Sequence, residues 1–261
     1  MPPTCPDDVA TVVAAGILAA TLAALCHETL GHGIGCVAVG GQITLLTSIW
    51  FRCHGATSLT DAGGAIASLL CGALALMAPS NHVRSPVVYL ILLMFGAISL
   101  FWLAAQLVAH AAFNRDDWHF IALRNHWPWG WRPVFMIVGV MAYALVMRWT
   151  LILLRDAAAP GSQAIRRAYL ASAASAGVAG LMWSPEPARS AVEGLLALGV
   201  APLGLLVVAE LARPGRAQAG TRAIARSWCL MAISLVVFAG FVLVQGRGVG
   251  PLASAPVTNT L

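Results

Sequence analysis

The chain has 261 residues, of which 59% are hydrophobic and only 10% are charged. Soluble globular domains carry about 25% charged residues, so this composition cannot cover a water-facing surface. It excludes a cytosolic enzyme, a nucleic-acid-binding protein and a disordered protein. The net charge of +5 comes from 15 basic residues, all of them arginine, which we assign to loops and membrane interfaces. We therefore expect an all-α polytopic integral membrane protein whose main partner is the lipid bilayer.

Seven apolar runs approach the length of about 20 residues that a membrane-spanning helix needs. In chain order they cover residues 9–39, 63–78, 87–113, 134–154, 168–183, 194–211 and 227–245. The second and fifth runs are short, so the sequence predicts six or seven transmembrane helices. Acidic residues before the first run argue against a cleaved signal peptide, and we expect this run to be a retained membrane helix. The arginines divide almost evenly between the two predicted faces, which leaves the orientation open.

The connections between these helices also carry predictions. Gly40 and Gly41 end the first helix, and the β-branched and aromatic residues at positions 42–51 predict a short strand or hairpin after it. Residues 114–133 hold four of the nine Trp, a composition typical of an interfacial loop. Residues 246–261 are predicted to form a flexible tail.

The six cysteines do not have the spacing of a disulfide framework. Two of them, Cys5 and Cys53, lie outside the apolar runs, and the sequence does not identify a pairing for them. The other four lie inside apolar runs, where a free thiol behaves as a small hydrophobic side chain: Cys26, Cys36, Cys71 and Cys229. We therefore predict free thiols at these four positions.

Ionisable side chains collect toward one of the two predicted faces. The first helix carries CHETLGHG, which contains His27, Glu28 and His32. Ionisable groups inside a membrane are costly and usually serve a function. Further candidates approach the same face from the connections and from the end of the third helix: His54, His110, Asp116, Asp117, His119 and His126.

The spacing H-E-x-x-x-H is one residue longer than the zinc-hydrolase signature H-E-x-x-H. In that signature two His at i and i+4 hold the metal and the Glu activates water. A regular α-helix would separate His27 and His32 by about 140° and roughly 7.5 Å of rise. One solution is a π-type turn, with Thr29 or Gly31 as its host, which would bring the two rings together. The other is that Glu28 and His32, at i and i+4, share the face as ligands, with His27 or another group as the base.

Three segments resemble the site-2 protease family of intramembrane zinc metallopeptidases: HETLGHGIGCVAVGG followed by ITLL, DAGGAIASLLCGALAL, and a third helix ending in NRDDW. The chain departs from that family in the HExxxH spacing and in lacking N-P…L-D-G around the aspartate. The resemblance implies a three-helix metal-site core over residues 9–120, with additional transmembrane helices over 121–245.

The same resemblance implies one Zn²⁺ per chain, held by His27, His32 and Asp117, with Asp116 as a substitute for Asp117. Glu28 would be the general base and the catalytic residue. Three further candidates have less specific roles: His54 and His110 as additional ligands, and Asn114 as a group that steadies a substrate carbonyl.

The expected function is therefore a membrane-embedded zinc-dependent hydrolase, an intramembrane peptidase acting on a membrane-protein substrate segment. An unwound substrate could pair with the strand near residues 43–51. Two other functions stay open: a non-catalytic metal-binding scaffold or transporter on the same core, and a haem or di-iron redox membrane protein. The sequence does not specify an oligomeric state.

Overall fold

The computed structural model describes residues 7–78, 85–155, 159–212 and 223–256. Cys5 and the last residues of the predicted tail, 257–261, lie outside this part of the chain. The helices and strands in chain order are α1 (Val9–Ala24), a first π-helix (Leu25–Gly33), α2 (Ile34–Ala38), β1 (Gln42–Leu46), β2 (Phe51–His54), α3 (Ser58–Met77), α4 (Pro86–Phe113), α5 (Asp116–Arg124), α6 (Trp131–Leu154), α7 (Ser162–Leu181), α8 (Pro187–Leu195), a second π-helix (Leu196–Val200), a 3₁₀ turn (Ala201–Leu203), α9 (Gly204–Leu211), α10 (Trp228–Phe241) and a third π-helix (Val242–Gly246).

Six helices in the described part of the chain are long and apolar enough to cross a membrane. They are Val9–Ala38, Ser58–Met77, Pro86–Phe113, Trp131–Leu154, Pro187–Leu211 and Trp228–Gly246. Their outer faces expose large apolar side chains such as Leu235 and Val236, as expected of a surface that meets lipid. The prediction of an all-α multi-pass membrane protein with a short hairpin after the first helix is confirmed.

Helix α7 corresponds to the predicted short span at 168–183 but is not among these six. Arg166 and Arg167 lie in its first two turns and lower its hydropathy. It nevertheless packs closely along α1, because the hydroxyl of Ser172 donates a hydrogen bond to the carbonyl oxygen of Gly16 at 2.8 Å. A Cβ at Gly16 would overlap the backbone of Ala168, so the two helix axes can approach only at a glycine.

Helix α3 runs antiparallel to the second half of the first span. A Cβ at Gly31 would lie 2.5 Å from the Cα of Gly64, and a Cβ at Gly35 would lie 3.2 Å from the Cα of Thr60. As the residue number rises on one helix it falls on the other, which fixes the antiparallel direction. Small residues on both helices permit this approach, and they place the start of α3 against the polar part of the first span.

Strands β1 and β2 form the predicted hairpin. They pair antiparallel, with Gln42 opposite His54 and Leu46 opposite Phe51. The hydroxyl oxygen of Thr47 accepts the backbone N–H of Trp50 at 2.8 Å and closes the turn. The hairpin folds back over the end of the first span.

The chain after Gly246, predicted to form a flexible tail, pairs with the hairpin. Leu46 and Val249 exchange two backbone hydrogen bonds of 2.9 and 2.8 Å, and the N–H of Leu252 donates to the carbonyl of Thr44 at 3.0 Å. Within the described residues, up to 256, this segment is therefore joined to β1 by backbone hydrogen bonds. The reason is the outer edge of β1, whose unpaired backbone groups offer hydrogen bonds to any extended segment nearby.

Cys36 and Cys53 form a disulfide that joins α2 to β2. The prediction of a free thiol at Cys36 is wrong, because the chain reverses at Gly41 and carries β2 back beside α2. A Cβ at Gly41 would lie 2.5 Å from Sγ of Cys53, so glycine leaves room for the bridge. The other three predicted thiols are free: Cys26, Cys71 and Cys229.

Candidate metal centre

The first π-helix brings His27 and His32 together. Hydrogen bonds from residue i to i+5 widen the turn so that residues five apart lie on one face. Both imidazoles are buried, and their Nε2 atoms are 3.3 Å apart. The structure thus adopts the first of the two geometries predicted from the spacing, and both proposed hosts, Thr29 and Gly31, lie within this π-helix.

Asp117 reaches the same point from the start of α5. The chain leaves α4 through two left-handed residues, Asn114 with φ 52° and Asp116 with φ 63°, a conformation that Asn and Asp tolerate better than other side chains with a Cβ. This sharp turn aims the next carboxylate back into the bundle. The Asp117 oxygens lie 3.5 Å from Nε2 of His32 and 3.7 Å from Nε2 of His27.

His27, His32 and Asp117 could therefore hold a metal ion, since one ligand atom from each lies within 4.8 Å of the others. Two His and one carboxylate form a ligand set that suits Zn²⁺ and leaves a fourth position open. His54 and His110 do not belong to this group.

Polar groups on α3 orient both rings for such a role. Nδ1 of His32 lies 2.8 Å from the carbonyl oxygen of Thr60. Because a carbonyl only accepts, this nitrogen carries a proton, so whenever the His32 ring is neutral its lone pair is on Nε2. Nδ1 of His27 lies 3.0 Å from the hydroxyl of Ser68. Hydrogen bonds of this kind to the second ring nitrogen fix the tautomer of metal-binding histidines.

Gly64 keeps the space beside the two Nε2 atoms open. A Cβ at this position would lie 2.6 Å from Nε2 of His27 and would overlap Nε2 of His32 as well. Any other residue would therefore fill the volume in which a shared ion would sit. Together with the tautomer of His32, this cradle indicates that the residues present fit a metal.

Glu28 lies in the same π-helix and is 3% exposed. It directly follows His27 in the chain. Aromatic rings cover the imidazoles: Trp102 stacks on His27 with a centroid distance of 4.2 Å, and Phe51 stacks on His32 at 5.4 Å. These rings keep lipid away from the polar groups.

The two neighbouring aspartates have different environments. Burial and the adjacent Asp117 charge raise the pKa of Asp116 to about 6, against the opposing effect of Arg115. Burial also disfavours ionisation of Asp117, but positive charge on His32 and hydrogen bonds with both imidazoles outweigh burial and lower the pKa of that carboxyl. Asp117 is therefore the acid that faces the two rings, whereas Asp116 faces His110, with 3.7 Å between Oδ2 and Nε2.

Two predicted site residues lie elsewhere. His54 is exposed on β2, beside the disulfide-bonded Cys53. Asn114 is exposed at the left-handed end of α4, so its amide serves no visible role at the centre. Sequence reasoning missed Thr60, Ser68 and Gly64 on α3 and Gln106 on α4; only the run of small and polar residues at the start of α3 could have signalled the first three.

Comparisons with protein-family models, with curated proteins and with solved structures find no match to this chain. Its function must therefore be inferred from the chemistry of this centre.

Proposed function

We propose that the chain is a membrane-embedded zinc-dependent hydrolase, an intramembrane peptidase that works in the manner of the site-2 proteases. The observation that carries this proposal is the convergence of His27, His32 and Asp117 within 4.8 Å inside an apolar helix bundle. Three protein ligands with a fourth position left open are the arrangement of a catalytic zinc site. A purely structural site would be expected to supply four ligands from the protein.

Each polar residue of the centre has a task in this reaction. When bound, Zn²⁺ supplies Lewis acidity that activates water and polarises a carbonyl. Glu28 accepts the proton of the attacking water and returns it to the leaving amine. Thr60 and Ser68 hold the imidazoles in register, and Trp102 and Phe51 limit the access of lipid.

The substrate we propose is a membrane-protein segment that has unwound into an extended conformation. Peptide bonds inside a helix are shielded by side chains and hydrogen bonds, so cleavage needs local unwinding. The outer edge of β1 is already paired with Val249. An extended substrate that adds to the sheet would therefore do so along β2, whose Phe51 stacks on His32.

The first test is the metal content of the detergent-purified protein, measured by elemental mass spectrometry. We expect about one zinc per chain in the wild type and none in His27→Ala or His32→Ala. A well-folded wild type without metal would contradict the proposal.

The second test separates metal binding from catalysis. Glu28→Gln should keep its zinc but lose cleavage of a library of transmembrane peptides, analysed by mass spectrometry. Glu210→Gln, at the opposite end of the bundle from the centre, is the matched control and should cleave like the wild type. If the zinc-loaded Glu28→Gln variant cleaves the peptides normally, Glu28 is not the general base.

A non-catalytic scaffold or transporter is the second candidate, and the π-helix favours it, since this geometry departs from the HExxH helix of zinc hydrolases. The Glu28→Gln variant decides here too, because a scaffold would keep its cellular function. The haem alternative is less well supported. The Nε2 atoms of His27 and His32 are only 3.3 Å apart on consecutive turns of one helix, so this pair cannot flank a porphyrin.

A further inference from the structure

Gln106 is a polar side chain inside the apolar helix α4, and it is only 7% exposed. Its amide nitrogen lies 3.3 Å from Nε2 of His27. Its amide oxygen has no hydrogen-bond partner among the described residues. Burying an amide with only part of its hydrogen bonds made costs folding free energy. An apolar residue of similar size would pack here without that cost, so packing alone does not explain the glutamine.

The contact with His27 uses the lone pair that a metal would take. Nδ1 of that ring faces Ser68, which leaves Nε2 as the atom directed toward His32 and Asp117. A metal and the Gln106 N–H cannot share this lone pair. Metal binding would therefore release the amide N–H while leaving it beside the centre.

The chemistry of an amide suits a contact with the exogenous ligand better than one with the metal. Protein zinc ligands are imidazoles, thiolates and carboxylates. In a site shielded from water, by contrast, a fixed N–H donor stabilises negative charge on oxygen. Trp102, one turn before Gln106 on α4, is 4% exposed and stacks on His27, so water is excluded on this side of the centre. Asn114, predicted for this task, is exposed.

We propose that Gln106 donates a hydrogen bond from its amide N–H to an oxygen anion bound at the open coordination position. The anion would be a carboxylate, a hydroxamate or the oxyanion that develops during amide hydrolysis. This assignment rests on the proposed metal site and adds a catalytic residue to it, one that acts on the reacting oxygen and not on the metal.

The test uses the full chain in detergent, loaded with Co²⁺, whose visible absorption reports on coordination. Acetohydroxamate is titrated into the wild type and into Gln106→Leu. We expect the same Co²⁺ spectrum in both proteins before the titration and an affinity for acetohydroxamate roughly tenfold to a hundredfold weaker in Gln106→Leu, the usual effect of losing a hydrogen bond to a charged group.

Two further variants complete the experiment. Ser99→Ala, the matched control, removes a buried hydroxyl on α4 that has no hydrogen-bond partner among the described residues, and it should leave the acetohydroxamate affinity unchanged. Gln106→Met keeps the approximate length of the side chain, removes the N–H donor and offers no carboxylate to the metal, and it should weaken binding as much as Gln106→Leu. It also serves as the test variant if size-exclusion chromatography shows that Gln106→Leu does not fold.

The outcomes separate this assignment from the proposed function. Equal acetohydroxamate affinity in the wild type and Gln106→Leu would overturn the donor role. Loss of Co²⁺ from folded Gln106→Leu would overturn it too, by making Gln106 part of the metal-binding structure. A wild type that binds no Co²⁺ would overturn the proposed function itself and this assignment with it.

Discussion

Gly64 controls the centre without contributing a functional group. Replacing it with Ala puts a methyl group against Nε2 of both His27 and His32. Since Thr60 and Ser68 on the same helix hold both rings by hydrogen bonds, the rings cannot turn away from the added methyl group without losing those bonds. We expect Gly64→Ala to lose its zinc, measured by elemental mass spectrometry, while all proposed ligands remain.

Gly240→Ala is the matched control for this substitution. It lies in the apolar helix α10, and its added Cβ would meet nothing within 4 Å. We expect full zinc content in this variant. Equal zinc content in the two variants would show that the volume beside Gly64 is not where the metal sits.

The two aspartates at the start of α5 are predicted to respond in opposite ways to substitution. Asp117 faces both imidazoles, whereas Asp116 faces His110 and Arg115. Asp117→Asn removes the only carboxylate of the proposed ligand set, so zinc should be lost to a competing chelator. Asp116→Asn should retain zinc like the wild type. The reverse result would assign the third ligand to Asp116.

The proposed ligands could be predicted from the sequence because charge inside an apolar run is rare. His27, Glu28 and His32 are conspicuous for this reason, and Asp117 follows directly after another apolar run. Gly64 and Gln106 could not be predicted in the same way. Their roles depend on how closely α3 and α4 approach the first π-helix. Distances between helices are not specified by a local sequence pattern.

At the scale of elements, the first π-helix shows how one additional residue is accommodated. An insertion between two histidines of an α-helix rotates the second ring by about 100°. The wider π turn absorbs the insertion, which is one of the two geometries that the HExxxH spacing left open. The hairpin could likewise be predicted from its β-branched and aromatic residues, but not its disulfide, because the pairing of Cys36 with Cys53 requires knowing where the chain reverses.

The disulfide should stabilise the hairpin against the end of the first span. It closes a loop between residues 17 apart in sequence, and a loop of this size corresponds to about 3 kcal/mol of unfolding free energy through restriction of the unfolded chain. We expect Cys53→Ser, or treatment with a reductant, to lower the thermal unfolding temperature. Cys229→Ser, which removes an exposed free thiol, is the control. Identical melting of the wild type and Cys53→Ser would mean that the bridge does not form.

At the scale of the whole molecule, the direction of α10 relative to α1 determines whether Asp8 and Val249 lie at the same end of the bundle or at opposite ends. The hydroxyl of Ser234 donates to the carbonyl of Ala14 at 2.9 Å, and Gln245 donates to the hydroxyl of Thr29. Helix α10 therefore runs parallel to α1. Asp8 and Val249 lie at opposite ends of the bundle, separated by roughly the length of the first span, about 40 Å. This parallel direction needs an odd number of crossings, and we therefore infer that α7 crosses the membrane in addition to the six apolar helices of the described chain.

Reporter fusions test this arrangement. Disulfides persist in oxidising compartments, and the Cys36–Cys53 bridge lies at the same end of the bundle as Val249. We expect a fluorescent protein fused before residue 1 to report a cytoplasmic location, and alkaline phosphatase fused after residue 261 to be active on the oxidising side. Both fusions reporting the same side would exclude seven crossings.

The backbone pairing of Val249 with Leu46 also places Val249 close to the centre. Leu46 lies opposite Phe51 in the hairpin, and Phe51 stacks on His32. A test peptide attached after this segment would be confined near the metal position, and a short flexible tether gives millimolar effective concentrations. Cleavage in cis could then be measured for sequences that bind too weakly to be processed as free peptides, before any natural substrate is identified.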